Sequence, residues 1–140
     1  MFVQTKQYLQ SRLPARPTLG VVLGSGLGSF AEELANPVEI SYSEIPGWPR
    51  STAAGHAGKL VFGESSGVNV AVLSGRAHLY EGSSPARVAY PMRILHLLGV
   101  RSVILTNAAG GINLNFARGG LVLISDHINL QGSNPLTGAN

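Results

Sequence analysis

Three features that the chain lacks exclude whole classes of protein. None of the 140 residues is cysteine, so no disulfide can form and the redox compartment is not indicated. The net charge of +3 comes from scattered Lys and Arg without interleaved aromatic residues, which argues against a nucleic-acid-binding surface. No apolar stretch has the length of a membrane span, and residues 1–7 lack the apolar core of a signal peptide. We therefore expect a cytoplasmic protein that binds neither nucleic acid nor membrane.

Charge of either sign is also scarce. Charged residues make up 12% of the chain, against about 25% in an average soluble domain, whereas 44% of the residues are hydrophobic. The length fits one domain over residues 1–140, with enough apolar residues to fill a core. A surface so poor in charge is expected to be covered, either by an oligomer interface or by a second half of the same domain.

Acidic residues and potential metal ligands are few and poorly placed for catalysis. No two carboxylates are spaced as the acid pair of a glycoside hydrolase, since Glu32 and Glu33 lie together at the start of a predicted helix. Asp126 and His127 are adjacent, but no third metal ligand follows at a useful spacing. We therefore expect no metal and assign a structural hydrogen-bonding role to the Asp126–His127 pair.

Glycine, by contrast, is abundant, and its 18 residues separate the apolar runs that predict secondary structure. A Ser-Ser-Gly turn predicts one hairpin, and Ser84 and Gly99 are the expected N-cap and end of a helix. Interleaved helices and strands with a hairpin indicate an α/β fold, a mixed central β-sheet flanked by helices. The pattern predicts helices over residues 2–12, 29–35 and 84–99, and strands over 19–23, 38–42, 59–63, 68–73, 102–106 and 121–124.

Residues 75–82, which follow a buried strand, carry the strongest chemical signal of the chain. They read Gly-Arg-Ala-His-Leu-Tyr-Glu-Gly, and alternation along an extended backbone would place Arg76, His78 and Tyr80 on one side. A guanidinium fork fits a phosphate, an imidazole adds a donor, and a phenol offers a flat face to a sugar. Glu81 is expected to point away from the three, with a role in orienting a neighbouring loop or arginine. The trio predicts a phosphate site beside a ribose site, where phosphate itself would be the nucleophile.

Two further loops also follow predicted strands. Residues 24–28, Gly-Ser-Gly-Leu-Gly, can bind an anion through backbone N–H groups and the Ser25 hydroxyl, or can form a tight turn without a ligand. Their spacing matches neither the dinucleotide fingerprint, nor the P-loop, nor the nucleophile elbow. Residues 107–111, Asn-Ala-Ala-Gly-Gly, allow a flat ligand to lie on the backbone, although without the other loops close packing of a helix on the sheet is the favoured explanation. Ligands of such sheets sit beyond the carboxyl ends of strands, so the three loops would converge if their strands are neighbours.

Histidines elsewhere in the chain are less informative. His56, between Gly55 and Gly58, could reach the site as a lid residue, while an ordinary surface histidine remains the alternative. His96 falls within a predicted helix, where packing is the expected role.

Taken in order, the motifs resemble those of the trimeric purine nucleoside phosphorylases. The resemblance covers essentially all 140 residues, and five motifs in the family's order with its gaps are far more specific than any one of them. Gly120 stands where the family usually has Asp, and we expect only a local loop effect. The chain ends at about half the family's length, so the resemblance implies the N-terminal half of a nucleoside phosphorylase fold. The motifs are residues 22–28, 55–58, 75–82, 106–111 and 126–129.

The resemblance implies reversible phosphorolysis of purine ribonucleosides and deoxyribonucleosides by a cytoplasmic homotrimer of purine salvage. The resemblance implies no cofactor, and inorganic phosphate is a co-substrate of the reaction. Arg76 and His78 would be catalytic, by placing phosphate under the sugar. The implied ligand contacts are Ser25, His56, Arg76, His78 and the backbone of Ala108 for phosphate, Tyr80 for ribose, and Ala109 and Gly110 for the purine.

Two alternatives to an active pentosyltransferase stay open. A truncated, non-catalytic fragment of the same family would bind phosphate or nucleoside without turnover. A structural remnant would fold poorly and aggregate, in keeping with the low charge of the chain.

Overall fold

A computed structural model of the chain describes residues 1–50 and 58–138. Its centre is a five-stranded sheet in the spatial order β2-β3-β4-β1-β5. β1 runs parallel to both of its neighbours, β4 and β5, whereas β2, β3 and β4 are joined in antiparallel pairs. The predicted mixed sheet and the β3–β4 hairpin are confirmed. The strands are β1 (Leu19–Leu23), β2 (Ala35–Ser41), β3 (Lys59–Ser65), β4 (Val68–Ser74) and β5 (Ser102–Leu105).

Three α-helices accompany the sheet: α1 (Phe2–Gln10), α2 (Pro85–Val88) and α3 (Tyr90–Leu98). The predicted N-cap is confirmed, since the Ser84 hydroxyl accepts a hydrogen bond from the backbone N–H of Arg87 at 3.3 Å. Gly99 ends α3 in the left-handed region at φ 108°, which favours glycine. Short 3₁₀ turns occur at Gly28–Ala31 and Leu79–Glu81. No helix within residues 1–50 and 58–138 has the length and apolar character needed to cross a bilayer.

Side-chain alternation along the strands divides the core into two layers. Val22 and Leu73 face α1 and α3, where they pack with Leu9 and Ile94. Val21, Leu23, Val61, Val70 and Val72 face the opposite side, where they meet Ala31 and Leu34. Of the three strands that carry the candidate loops, β1 and β4 are therefore anchored in apolar side chains, whereas all four residues of β5 are exposed.

Two predicted elements are wrong. The helix expected over residues 29–35 is only a 3₁₀ turn, because β2 already begins at Ala35, next to Asn36 at a positive φ and Pro37. The strand expected over residues 121–124 is not formed, and Leu121 and Leu123 are more than 90% exposed. A strand needs a hydrogen-bonded partner, and in the described part of the chain β5 pairs with β1 alone.

Candidate functional site

The strand register brings the three glycine-rich loops to one edge of the sheet. Leu23 at the end of β1 lies beside Ser74 at the end of β4, and Val22 lies beside Leu105 of β5. Because these strands are parallel, the loops that follow them leave the sheet side by side. The predicted convergence of residues 24–28, 75–82 and 107–111 is confirmed at the level of the backbone. The edge is the position where parallel sheets bind ligands.

Thr106 joins two of these loops through its side chain. Its Oγ1 donates to the carbonyl oxygen of Val22 at 2.8 Å and accepts from the backbone N–H of Gly24, also at 2.8 Å. The backbone N–H of Thr106 donates to the same Val22 oxygen at 3.0 Å. The start of the Ser25 loop is thus fixed to the end of β5.

Gly24 lies so close to the neighbouring backbone that a larger residue does not fit. A Cβ atom added at Gly24 would lie 2.8 Å from both Cα of Asn107 and the carbonyl oxygen of Thr106. Such distances are well below van der Waals contact. The glycine is therefore required here by the close approach of the two loops.

The Arg76 side chain reaches from the loop after β4 to Thr106 at the end of β5. Its Nη1 donates to the carbonyl oxygen of Thr106 at 2.8 Å, and the side chain is half-buried. Gly75, immediately before it, turns the chain at φ 106°. A guanidinium carries five N–H donors, so this single bond leaves donors with which Arg76 can bind an anion.

His78 is held by Glu81. The Glu81 Oε1 atom lies 2.7 Å from His78 Nδ1 and accepts from the backbone N–H of His78 at 2.8 Å. Since a carboxylate only accepts, the proton on Nδ1 faces Glu81, and Nε2 lies on the opposite side of the ring. The expectation that Glu81 points away from the trio is wrong, because extended backbone ends at His78 and the following 3₁₀ turn brings Glu81 back. Its expected orienting role is instead directed at His78.

Tyr80 lies against His78, although it belongs to the 3₁₀ turn Leu79–Glu81, where the alternation of an extended backbone no longer applies. The two rings are stacked, with centroids 4.7 Å apart and planes 18° apart. Tyr80 is 78% exposed, so one face of its ring is open for a ligand. The structure thus pairs His78 with Tyr80 and directs Arg76 towards Thr106.

The remaining predicted site residues lie in the same loops, except His56, which is outside the described residues. Ser25, Ala108, Ala109 and Gly110 are exposed at the sheet edge, and a Cβ at Gly110 would meet nothing within 4 Å. His127 and Asp126 make a local contact in which the His127 N–H donates to Asp126 Oδ1 at 2.8 Å. A search of the residues that the structure describes finds no group of three or more potential metal ligands.

Sequence reasoning missed two residues that shape this edge. Thr106 ends an apolar strand with a polar side chain, a signal that could have been found in the sequence. Tyr42 is buried far from the loops in sequence, yet its hydroxyl donates to the carbonyl oxygen of Gly75 at 2.7 Å. No local pattern around Tyr42 indicates that contact.

A cavity of about 630 Å³ lies beside the edge, between the strands and the α2–α3 helices. Arg76 and Thr106 line it on one side and Val88 and Met92 on the other. Part of the segment from His127 to Pro135 forms its outer wall, with Pro135 accepting from Arg93 at 3.4 Å. A mainly apolar cavity therefore adjoins Arg76 and Thr106 of the candidate anion site.

These observations agree with comparisons to known proteins. The model of the phosphorylase superfamily matches residues 18–140, and the chain belongs to that superfamily. Its curated relatives include purine nucleoside phosphorylase 1 of Bacillus subtilis, 50% identical over 95% of this chain and 49% of the relative. They also include the purine nucleoside phosphorylase of Rattus norvegicus, 46% identical over 99% of this chain and 49% of the relative.

A solved structure shows the same fold. Isoform 2 of purine nucleoside phosphorylase from Schistosoma mansoni, in complex with cytosine and ribose-1-phosphate, superposes with a TM-score of 0.90 at 41% identity. The match covers 99% of this chain and 50% of that protein. The chain spans about half the length of the relatives it matches, and its fold is the N-terminal half of a nucleoside phosphorylase fold.

Proposed function

We propose that the chain provides the phosphate and ribose sites of a purine nucleoside phosphorylase. The observation that carries the proposal is the convergence of three glycine-rich loops, with Arg76 bonded across them to Thr106 at 2.8 Å. The matched relatives support the reaction, since their names state that activity. The reaction is reversible phosphorolysis of purine ribonucleosides and deoxyribonucleosides.

In this proposal the anion is held from three sides. The Ser25 hydroxyl, the Arg76 guanidinium, His78 and the backbone N–H of Ala108 bind phosphate, and His56 lies on the loop that closes over it. Tyr80 packs on the ribose, while Ala109 and Gly110 line the purine site. No metal or cofactor takes part. A homotrimer, a cytoplasmic location and a role in purine salvage complete the proposal.

Positioning of charge supplies the chemistry. Phosphate lies under the sugar, stabilises the cationic ribose as the C1′–N bond to the purine breaks, and forms the new C1′–O bond of ribose 1-phosphate. The purine leaves with the bonding electron pair and takes up a proton from solvent, which balances the proton that hydrogen phosphate loses as it becomes ribose 1-phosphate. Holding the two reactants in this geometry can remove roughly 7–11 kcal/mol from a barrier in favourable cases. Glu81 helps by orienting His78.

The second candidate function is phosphate or nucleoside binding without turnover. The chain covers about half of each matched relative, and apolar side chains after β5, such as Leu121 and Leu123, are exposed. We therefore expect that the 140-residue chain binds phosphate and releases little hypoxanthine from inosine.

Calorimetry with inorganic phosphate tests the shared binding step, and an inosine assay separates the two functions. Phosphate binding that is lost in Arg76→Ala supports the site, whereas a wild-type chain that does not bind phosphate would overturn it. Robust hypoxanthine release would establish the enzyme and contradict the second candidate. Arg87→Ala, an exposed arginine on α2, is the matched control and should bind as the wild type does.

A further inference from the structure

Tyr42 is a buried titratable residue that the proposed reaction does not use. Its side chain is 4% exposed and belongs to the core cluster that includes Leu60 and Leu73. Its ring lies beside that of Trp48, with centroids 5.3 Å apart. The hydroxyl at the end of this fixed ring donates to the Gly75 carbonyl oxygen at 2.7 Å.

The acceptor is the carbonyl directly before Arg76. Gly75 has φ 106°, a conformation that glycine adopts without the strain of a side chain but also leaves readily. Because the peptide unit is planar, holding the Gly75 oxygen fixes the plane that contains the nitrogen and Cα of Arg76. The direction in which the Arg76 side chain starts is therefore set by the Tyr42 hydroxyl.

The Tyr42 backbone reaches a second part of the same region. Its N–H donates to the carbonyl oxygen of Gly58 at 2.8 Å, and the N–H of Gly58 donates to Ser74 at 2.9 Å. Gly58 lies two residues after His56 in the sequence. Tyr42 thus contacts both Gly58 and the start of the Arg76 loop.

The hydroxyl is also a dependable donor. Burial raises the pKa of Tyr42 well above the ordinary value for tyrosine, because the phenolate would lose its hydration. The phenol therefore stays protonated over the working range of most enzymes.

We propose that Tyr42 is a positioning residue for the phosphate site, which aligns the Arg76 guanidinium by fixing the Gly75–Arg76 peptide. The inference rests on the proposed function, since it assumes that Arg76 binds phosphate. Tyr42 itself does not touch the anion. Its removal should weaken phosphate binding without removing any ligand contact.

Tyr42→Phe tests the proposal, with Tyr90→Phe as a matched control. The Tyr90 hydroxyl is equally buried and lies 2.7 Å from Thr5 Oγ1, and among the described residues it makes no hydrogen bond to the loops after β1, β4 and β5. Calorimetry with inorganic phosphate should show binding about three- to tenfold weaker in Tyr42→Phe, the range that the loss of one hydrogen bond explains. Tyr90→Phe should stay within about twofold of the wild type. Urea unfolding followed by Trp48 fluorescence corrects both affinities for the folded fraction.

A second readout does not depend on phosphate binding. The Arg76 Nε–H cross-peak in ¹⁵N NMR should shift or broaden in Tyr42→Phe and stay in place in Tyr90→Phe. Equal affinities and an unmoved cross-peak in both variants would overturn the inference. A wild-type chain that does not bind phosphate would instead overturn the proposed function, while the cross-peak would still show whether Tyr42 positions the arginine.

Discussion

The Arg76 guanidinium donates to the Thr106 carbonyl oxygen at 2.8 Å and so connects the loop after β4 to the loop after β5. β1 lies between these strands, and the bond therefore spans the end of the strand whose loop carries Ser25. The residue that the sequence predicts to bind an anion therefore also links two loops at this edge of the sheet. Substitutions at Arg76 should accordingly affect the geometry of the loops as well as the charge.

Arg76→Lys keeps the positive charge and removes the planar fork. One ammonium cannot both hold the Thr106 carbonyl and present two parallel donors to phosphate, so phosphate binding should weaken about tenfold or more. Calorimetry measures the change. Arg87→Lys, on the exposed surface of α2, should leave the affinity unchanged. Equal affinities for wild type and Arg76→Lys would show that charge alone suffices.

Gly24→Ala should destabilise the sheet edge. The new methyl group would lie 2.8 Å from backbone atoms of Thr106 and Asn107, so the two loops must separate, at a cost of about 1–3 kcal/mol. Gly28→Ala is the control, because a Cβ there meets nothing within 4 Å. Urea unfolding should show a change within about 0.5 kcal/mol for the control. A Gly24→Ala chain as stable as the control would contradict the close approach.

Glu81→Ala should loosen His78. The backbone N–H and the Nδ1 atom of His78 would both lose Glu81 Oε1, which lies 2.8 and 2.7 Å from them. The imidazole ring would then be free to turn away from the anion. We expect phosphate binding to weaken about three- to tenfold, because His78 would keep its place in the chain and lose about one hydrogen bond's worth of positioning. Calorimetry of Glu33→Ala, an exposed acid distant in sequence, controls for the lost negative charge. An equal gain or loss in both variants would point to net charge instead.

Tyr42 should make the fold sensitive to alkaline pH. Its pKa is raised by burial, so above the ordinary value of about 10 the unfolded tyrosine ionises while the folded one stays protonated. The unfolded chain then binds fewer protons, and stability that is fully present below pH 10 is lost as the pH rises, by up to about 1.4 kcal/mol per pH unit.

The measurement is the difference in unfolding free energy between wild type and Tyr42→Phe, from about pH 8 to pH 11. Other titrating groups are common to both proteins and cancel. A difference that stays constant across this range would show that the folded phenol ionises as readily as the unfolded one.

Apolar runs were sufficient to predict β1, β3, β4 and β5, and alternation over residues 38–42 predicted β2. The expected burial is found in β1, β3 and β4, whereas all four residues of β5 are exposed. The start at Ser84 and the end at Gly99 could also be predicted, because capping residues act locally. The single helix predicted between them is instead divided at Ala89 into α2 and α3. Residues 121–124 have the same apolar character, yet they form no strand, because a strand also needs a partner. Apolar character alone predicts burial and does not provide the neighbour.

The candidate site likewise combines residues that local sequence predicts with contacts that only the tertiary structure shows. Arg76, His78 and Tyr80 could be selected from their alternation, and the parallel register then placed their loop beside Ser25. Glu81 was misplaced because alternation holds only while the backbone is extended. Tyr42 and Gly75 are 33 residues apart in the chain, so their hydrogen bond depends on the tertiary structure and has no local signal.

The outer edge of β5 and the exposed apolar residues 121–124 should promote self-association of the chain. Within residues 1–50 and 58–138, the outer side of β5 is an unpaired row of backbone donors and acceptors, and residues 121–124 are a short apolar segment suited to pair with such a row in a neighbouring molecule. Self-association should therefore limit the solubility of the chain, and a lysine introduced within residues 121–124 should increase that solubility.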